Sequence, residues 1–523
     1  MASVHAQSAA PETATAPSSR WTSGPAVVAY LALGTLALHL VTAGRYDYFR
    51  DELYYIACSK HLAFGYVDQP PLVVLVVWLT RHLLGSSLEA LRLPAGVAGA
   101  ALVWLTGRLA RDLGGTRFAQ VLAAICVIVA PVYLVLHYLM TMNAFEPLLW
   151  AACSWLVIRI IQTGEGRLWL WFGALAGIGL ENKYSIAVFL LGIVVGLLAG
   201  GERRQFRSEW IWLGGALALL IFLPNLVWEV ANGWPFLQLM HNIRASGRDL
   251  WPGTFGFFVQ QWILMNLLAA PVWLAGLWYF FYTPEGRPYR ALGWGVVVVY
   301  VAFFVLHGKS YYVVPVYPTL FAGGAVVWDR YVDRTRRVWL RPAAVALLAV
   351  AGALFLPMVL PVLPLPATAR YIAAFPVKPA ATERSHLAAA LPQYFADQFG
   401  WREMTAAAAS AYWSLPAADR ARAAIIGNDY GQSAAIDFFG LTYGLPPAIG
   451  VHQNYWLWGP GKATGEVLIV LGDSYEGLSS KCDHVAVGAY YDNPYGLEHD
   501  PVLICYGLGA DLHEWWPQLK KWD

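Results

Sequence analysis

The stretch RYDYFRDELYYIACSKHLAFGYVDQPP, residues 45–71, sets the reading of the whole chain. It follows one apolar run and precedes a series of others. It carries Arg45, Asp47, Arg50, Asp51, Glu52, Lys60, His61 and Asp68 in a chain with only 13% charged residues. Charge at this density beside a membrane-length run is costly unless it faces water or a cavity. The stretch is therefore expected to form an external loop that does work of its own.

Outward from it, the 523 residues are 58% hydrophobic, and apolar runs of membrane-spanning length recur. That pattern predicts a polytopic α-helical membrane protein. A net charge of +2 with no basic tract interleaved with aromatics excludes a nucleic-acid partner. The 25 Trp and 28 Tyr suit interfacial belts in contact with membrane lipids. Residues 1–24, rich in Ala, Ser, Thr and Pro, read as a disordered cytoplasmic tail. Spans are expected at 26–43, 93–109, 118–138, 144–161, 168–181, 184–200, 210–228, 256–282, 291–306, 311–328 and 339–363. The apolar run 71–84 is short for a crossing.

Charge placement settles its role. Basic clusters at 108–117, 159–167, 203–207, 287–290 and 330–341 alternate with Arg-poor connections only if 71–84 does not cross. Under the positive-inside rule this gives about eleven spans, an internal N-terminus and a first external loop over 44–92. The transmembrane domain is expected over 25–366. Polar residues then collect at the external ends: Asp47/Asp51/Glu52/Asp68, His137/Asn143/Glu146, Glu181/Asn182/Lys183, His241/Asn242/Arg244 and His307/Lys309/Tyr311/Tyr312. Five such groups on one side suggest a shared cavity. Asp51 and Glu52 are adjacent, so on a helix they point about 100° apart and cannot both face one substrate. Asn143 and Glu146 share a helix face and are read as binding either sugar hydroxyls or a first-loop cation.

From residue 367 the composition changes. Runs at 423–427, 466–472, 485–490 and 502–506 read as short buried strands, with helical patterns around 383–413 and 431–439. Residues 367–523 are expected to form an extracytoplasmic α/β domain. GNDYGQSAAIDFFG (427–440) lacks a Walker Lys and a GxGxxG and reads as an ordinary βα turn. HQNYWLWGP (452–460) suits either stacking on a sugar or lying on a membrane surface. Cys126 and Cys153 are expected to be packing residues, and Cys482 and Cys505 could pair if their domain is extracytoplasmic.

A first span followed by an Asp-Glu pair and an Asp-x-Pro-Pro turn into an apolar run resembles the GT-C membrane glycosyltransferases. More narrowly it resembles the bacterial branch related to protein O-mannosyltransferases and the lipid A aminoarabinose transferase. YDYFRDELYYIACSKHLAFGYVDQPPL (46–72), LMTMNAFEPLLW (139–150), LPNLVWEVANGWP (223–235), HGKSYYVVPVYP (307–318) and the segment 427–460 carry the likeness. It implies sugar transfer from a polyprenyl-phosphate donor to a lipid, glycan or protein acceptor outside the bacterial inner membrane, with inversion at the anomeric centre. By position, Asp51 is the implied base and Glu52 its neighbour. The aminoarabinose branch has Glu-Lys-Pro where this chain has Asp68-Gln69-Pro70, the acid there being associated with a metal and the Lys with the donor phosphate. Gln69 cannot supply that charge, so Lys309, and then Arg244, are expected at the phosphate. Asp68 and His241 are the candidate ligands of a divalent metal ion. Asn143, Glu146, Lys183, Tyr311 and Tyr312 are the candidate substrate-binding residues. The alternative is a lipid or sugar transporter or flippase, which favours repeated halves and mid-membrane charges; neither is present.

Overall fold

The computed structural model describes residues 20–523 apart from 378, 380, 497, 498 and 510; most of the expected N-terminal tail, residues 1–19, lies outside them. Helices occupy each of the eleven expected span positions. Seven are long and apolar enough to cross a membrane, from Gly24–Ala43 to Leu340–Val359, and nine if each of two bent pairs counts as one span. Leu168–Asn182 and Ile186–Ala199, at 15 and 14 residues, are shorter than a full crossing. The eleven-span expectation thus holds for position, and length supports nine.

The two bent pairs have identifiable causes. Arg117–Ile128 and Pro131–Tyr138 meet at 65°. Pro131 lacks an N–H and so opens a new helix instead of continuing the old one. Gly253–Leu264 and Leu267–Tyr282 meet at 90°. There Asn266 takes a φ of 67° and its side chain accepts from the Leu268 N–H, terminating one helix and starting the next. Both breaks border the large internal cavity described below. Irregular backbone at membrane depth is tolerated where it lines such a space.

The first loop folds into two helices, Arg50–Cys58 and Leu72–Leu84. The second has 13 residues and buries Val73, Val74, Val77 and Thr80, leaving Leu75, Leu79 and Leu83 exposed. It is amphipathic and too short to span, as expected for a juxtamembrane helix.

The C-terminal region contains five strands: β1 (Ala423–Gly427), β2 (Ile449–Gly450), β3 (Val467–Leu471), β4 (Cys482–Ala489) and β5 (Val502–Leu508). Their order is β2-β1-β3-β5-β4. β1 runs parallel to β2 and β3, whereas β5 is antiparallel to β3 and β4. Four of these strands follow the apolar runs; β2 has two residues and no pattern that a sequence could display. Alternation sends Ile425, Val467, Ile469 and Ile504 to one face and Ile426, Leu468, Val470 and Leu503 to the other. The first face shares a core with helix Trp401–Ser414, helix Tyr430–Phe439, and Leu53, Tyr54, Ile56, Val73 and Val77 of the first loop. The α/β domain is therefore packed directly onto the charged loop. Cys482 and Cys505 are joined in a disulfide, and Cys126 and Cys153 are buried in the helical core.

Candidate active site

Asp51 and Glu52 part company at the first turn of helix Arg50–Cys58. Glu52 turns into the protein and is fully buried. Arg92 grips it with two bonds of 2.8 Å, and the N–H groups of Met140 and Phe49 donate to it at 2.9 Å each. The rest of the Arg92 guanidinium is satisfied by the carbonyls of Ala43 and Asp47 and the Tyr138 hydroxyl. This closed knot ties the first span, the first loop and the 131–140 segment together. It leaves Glu52 no free lone pair aimed at a substrate.

Asp51 faces a cavity of about 580 Å³. The Tyr430 hydroxyl, from the C-terminal domain, donates to its Oδ1 at 2.8 Å. Arg50 lies 3.7 Å away. Burial pushes the Asp51 carboxyl above its usual range, while Arg50 and the Tyr430 hydroxyl hold it back. Asp68 lines the same cavity and accepts from Tyr54 at 3.1 Å. Burial first, then the Asp51 charge, push it up to about 6.

Three cations share the cavity wall with these acids. Lys309 lies 3.1 Å from Glu383 and 3.2 Å from Asp249. Arg50 reaches both Glu383 and Asp397, at 3.7 and 3.6 Å. Arg248 pairs with Asp249 at 3.4 Å. Burial alone would raise the Glu383 carboxyl, but Lys309, Arg50 and Arg248 outweigh it and hold it well below the carboxylate range. Burial would likewise lower the Lys309 ammonium, and Glu383, Tyr312 and Asp249 reverse that. All three cations border the cavity, so their charges are fixed in place before any ligand arrives.

A second cluster closes another side. Lys183 donates to Asn143 at 2.8 Å and to Glu146 at 3.1 Å, and lies 4.6 Å from the Tyr312 ring centre. Ser185 also donates to Glu146. Apolar side chains complete the wall, among them Val132, Val135, Leu136, Leu239, Ile263 and Phe303. Charged groups and an extended hydrocarbon surface on one cavity wall are the profile of a site for an amphiphile with a polar head.

Sequence and structure comparisons bear on this arrangement. The family described as dolichyl-phosphate-mannose-protein mannosyltransferase matches residues 68–228. The lipopolysaccharide core galacturonosyltransferase RgtA of Rhizobium johnstonii is 27% identical over 218 residues. That match covers 40% of this chain, which spans 42% of the length of that protein. The crystal structure of ArnT from Cupriavidus metallidurans bound to undecaprenyl phosphate superposes with a TM-score of 0.57 at 16% identity, covering 91% of this chain and 97% of that one. Its apo form gives the same TM-score at 15% identity. This is a GT-C fold. The apolar helices make the chain an integral membrane protein.

Within the GT-C cavity, Asp51, Asp68, Asn143, Lys183, Lys309, Tyr311 and Tyr312 are brought together, and Glu146 stands directly behind Lys183. Asn143 and Glu146 bind a cation, as one reading of them required, but the cation is Lys183 and not a first-loop residue. Arg244 and His241 are not part of the cavity wall. Helix Pro235–Ser246 turns Phe236, Leu239, Met240 and Ile243 inward, and the 3.6-residue period leaves His241 and Arg244 exposed. Arg248, just beyond that helix, lines the cavity instead. The proposed ligand pair Asp68 and His241 is therefore not assembled on the cavity wall, and the described residues contain no group of three or more His, Cys, Asp or Glu placed to hold a metal.

Sequence reasoning missed Arg50, Arg248, Asp249, Glu383 and Tyr430 at the site, and Arg92 behind it. Arg50 stands in the charged loop, but nothing in its spacing marks it as a site residue. Tyr430 lies in the stretch read as a βα turn, and that reading was right about the backbone. Asp429 accepts from the Gly431 N–H at 2.7 Å and occupies the helix start that a phosphate would need. The 452–460 loop packs inward: His452 and Asn454 are buried, and Gln453, at a φ of 49°, lines the cavity.

Proposed function

We propose that this chain transfers a sugar from a polyprenyl-phosphate donor to an acceptor hydroxyl or amine on the outer face of the bacterial inner membrane. The observation that carries this reading is a single, largely apolar cavity whose wall holds the Asp51 carboxylate together with three fixed cations, Lys309, Arg248 and Arg50. Asp51 removes the acceptor proton as its nucleophilic atom attacks the anomeric carbon. The bond from that carbon to the phosphate oxygen breaks, and the negative charge left on the phosphate falls to Lys309, Arg248 and Arg50. Preorganised cations of this kind stabilise the transition state because charge develops where they already point. Direct displacement inverts the anomeric centre. The apolar wall accepts the polyprenyl chain, while Asn143, Lys183, Tyr311 and Tyr312 line the space left for sugar hydroxyls. The bound undecaprenyl phosphate of the ArnT structure and the galacturonosyl transfer of RgtA support this donor chemistry. The disulfide between Cys482 and Cys505 supports an oxidising, extracytoplasmic location for the α/β domain.

The test is to incubate the purified full chain with polyprenyl phosphates carrying hexose, pentose, aminopentose or hexuronic acid, and to follow release of polyprenyl phosphate. Release with one of these donors, abolished by Asp51→Asn, is the expected result. Donor movement across a vesicle with no glycosidic product would instead restore the transporter reading.

A further inference from the structure

The first loop has a second hollow, separate from the cavity that holds Asp51. It is an open depression of about 420 Å³ between Ser59, Lys60, Trp78, Arg81, His82 and Ser86. Arg81 is braced there by the hydroxyls of Ser59 and Ser86, to which it donates at 2.9 and 3.1 Å. Its remaining Nη2 group makes no hydrogen bond among the described residues. Lys60 donates only to the Asp437 backbone carbonyl, at 3.2 Å. No carboxylate lines the hollow. The Asp437 carboxylate that acts on Lys60 is already engaged by the Tyr455 hydroxyl and the Ala448 N–H. His82 bonds through Nδ1 to the Trp78 carbonyl, leaving Nε2 open. A half-buried arginine held by two hydroxyls, beside a lysine that has no ion pair among the described residues, is a prepared anion site.

Its surroundings say which anion. Trp78, Arg81 and His82 lie along one edge of helix Leu72–Leu84, and Leu75, Leu79 and Leu83 form the adjoining exposed stripe, at 49, 48 and 71%. A short amphipathic helix with basic groups at the edge of its apolar face lies in the plane of a membrane interface. A free phosphate would have no use for the leucine stripe.

We infer that the Arg81 hollow is a headgroup site for an anionic membrane phospholipid, with the phosphate held by Arg81, Lys60 and the two serines and the acyl chains along Leu75, Leu79 and Leu83. Ser59 caps helix Arg50–Cys58, whose first turn bears Asp51. A lipid held there anchors the far end of that helix to the bilayer. The inference is independent of the transfer reaction.

The test titrates phosphatidylglycerol into the detergent-solubilised full chain and counts bound lipid by native mass spectrometry, with phosphatidylcholine and inorganic phosphate as controls. With about 1 kcal/mol per basic residue, Lys60→Gln is expected to weaken phosphatidylglycerol binding roughly 5-fold and Lys60→Gln/Arg81→Gln roughly 30-fold. Phosphatidylcholine binding should be weak and unchanged, and millimolar phosphate should not compete. Phosphatidylglycerol binding by Lys60→Gln equal to that of the unaltered chain would overturn the site. Lys60 has a single bond to a backbone carbonyl, so this variant decides the matter even where the double variant fails to fold. Displacement of the lipid by inorganic phosphate would overturn the lipid assignment.

Discussion

Two neighbouring carboxylates divide the first loop into two regions with opposite physics. Behind helix Arg50–Cys58, Glu52 is locked by Arg92 at 2.8 Å with both side chains almost wholly buried. In front of it, Asp51 keeps 26% of its side chain exposed and has one firm hydrogen bond. The rear region spends its charge on holding the chain together. The front region leaves a carboxylate under-coordinated and destabilised in its ionised form, which is the condition for a base. Adjacent acids on a helix can serve both ends because about 100° of rotation separates them.

The sharpest way to break this comparison is to disable one region at a time. Asp51→Asn should lower kcat/KM by about 10²- to 10⁴-fold while the thermal midpoint in detergent stays within a few degrees. Arg92→Met should do the reverse, costing about 3–5 kcal/mol of stability because a buried Glu52 is left uncompensated. It is read as loss of folded protein with normal specific activity in what remains. If Arg92→Met protein were fully stable, the structural role of the rear region would fall. Lys309→Met should cost about 2.7–4 kcal/mol in transition-state stabilisation, seen as a drop in kcat for polyprenyl phosphate release.

Smaller effects sharpen the front region. Because burial raises the Asp51 carboxyl, kcat/KM should fall as pH drops through a value above the ordinary ~3.9 of aspartate. The base is active only when deprotonated, so activity is present above that pKa and lost below it. Tyr430→Phe removes a hydrogen bond that favours the ionised form. Its acid limb should therefore move to higher pH, with a loss of about 0.5–1.5 kcal/mol at neutral pH. An unshifted pH profile in Tyr430→Phe would mean that the C-terminal domain does not tune the base.

Much of this contrast was legible in the chain. The 100° separation of Asp51 and Glu52 follows from helix geometry, but not which of them turns inward. Lys309, Asn143, Lys183, Tyr311 and Tyr312 could be chosen because polar residues at span ends stand out against apolar neighbours. Arg244 and His241 stood out for the same reason and nevertheless face away, because their helix uses its apolar side to line the cavity. Arg248 lies four residues further on and carried no stronger signal than Arg244. Glu383 and Tyr430 were invisible as site residues because their partners are distant: the Tyr430–Asp51 bond joins positions 379 apart.

The sequence by itself determined the apolar spans, the short apolar helix after the first loop, the strands of the α/β domain and the acid pair. These are local properties, set by hydrophobic period, run length and charge placement within a few tens of residues. Only the tertiary structure decided which acid faces the cavity, which cations gather there and which residue of the C-terminal domain touches Asp51. Those outcomes depend on how helices rotate and on which distant loops a buried charge finds to satisfy it, and neither is written in any single stretch of the chain.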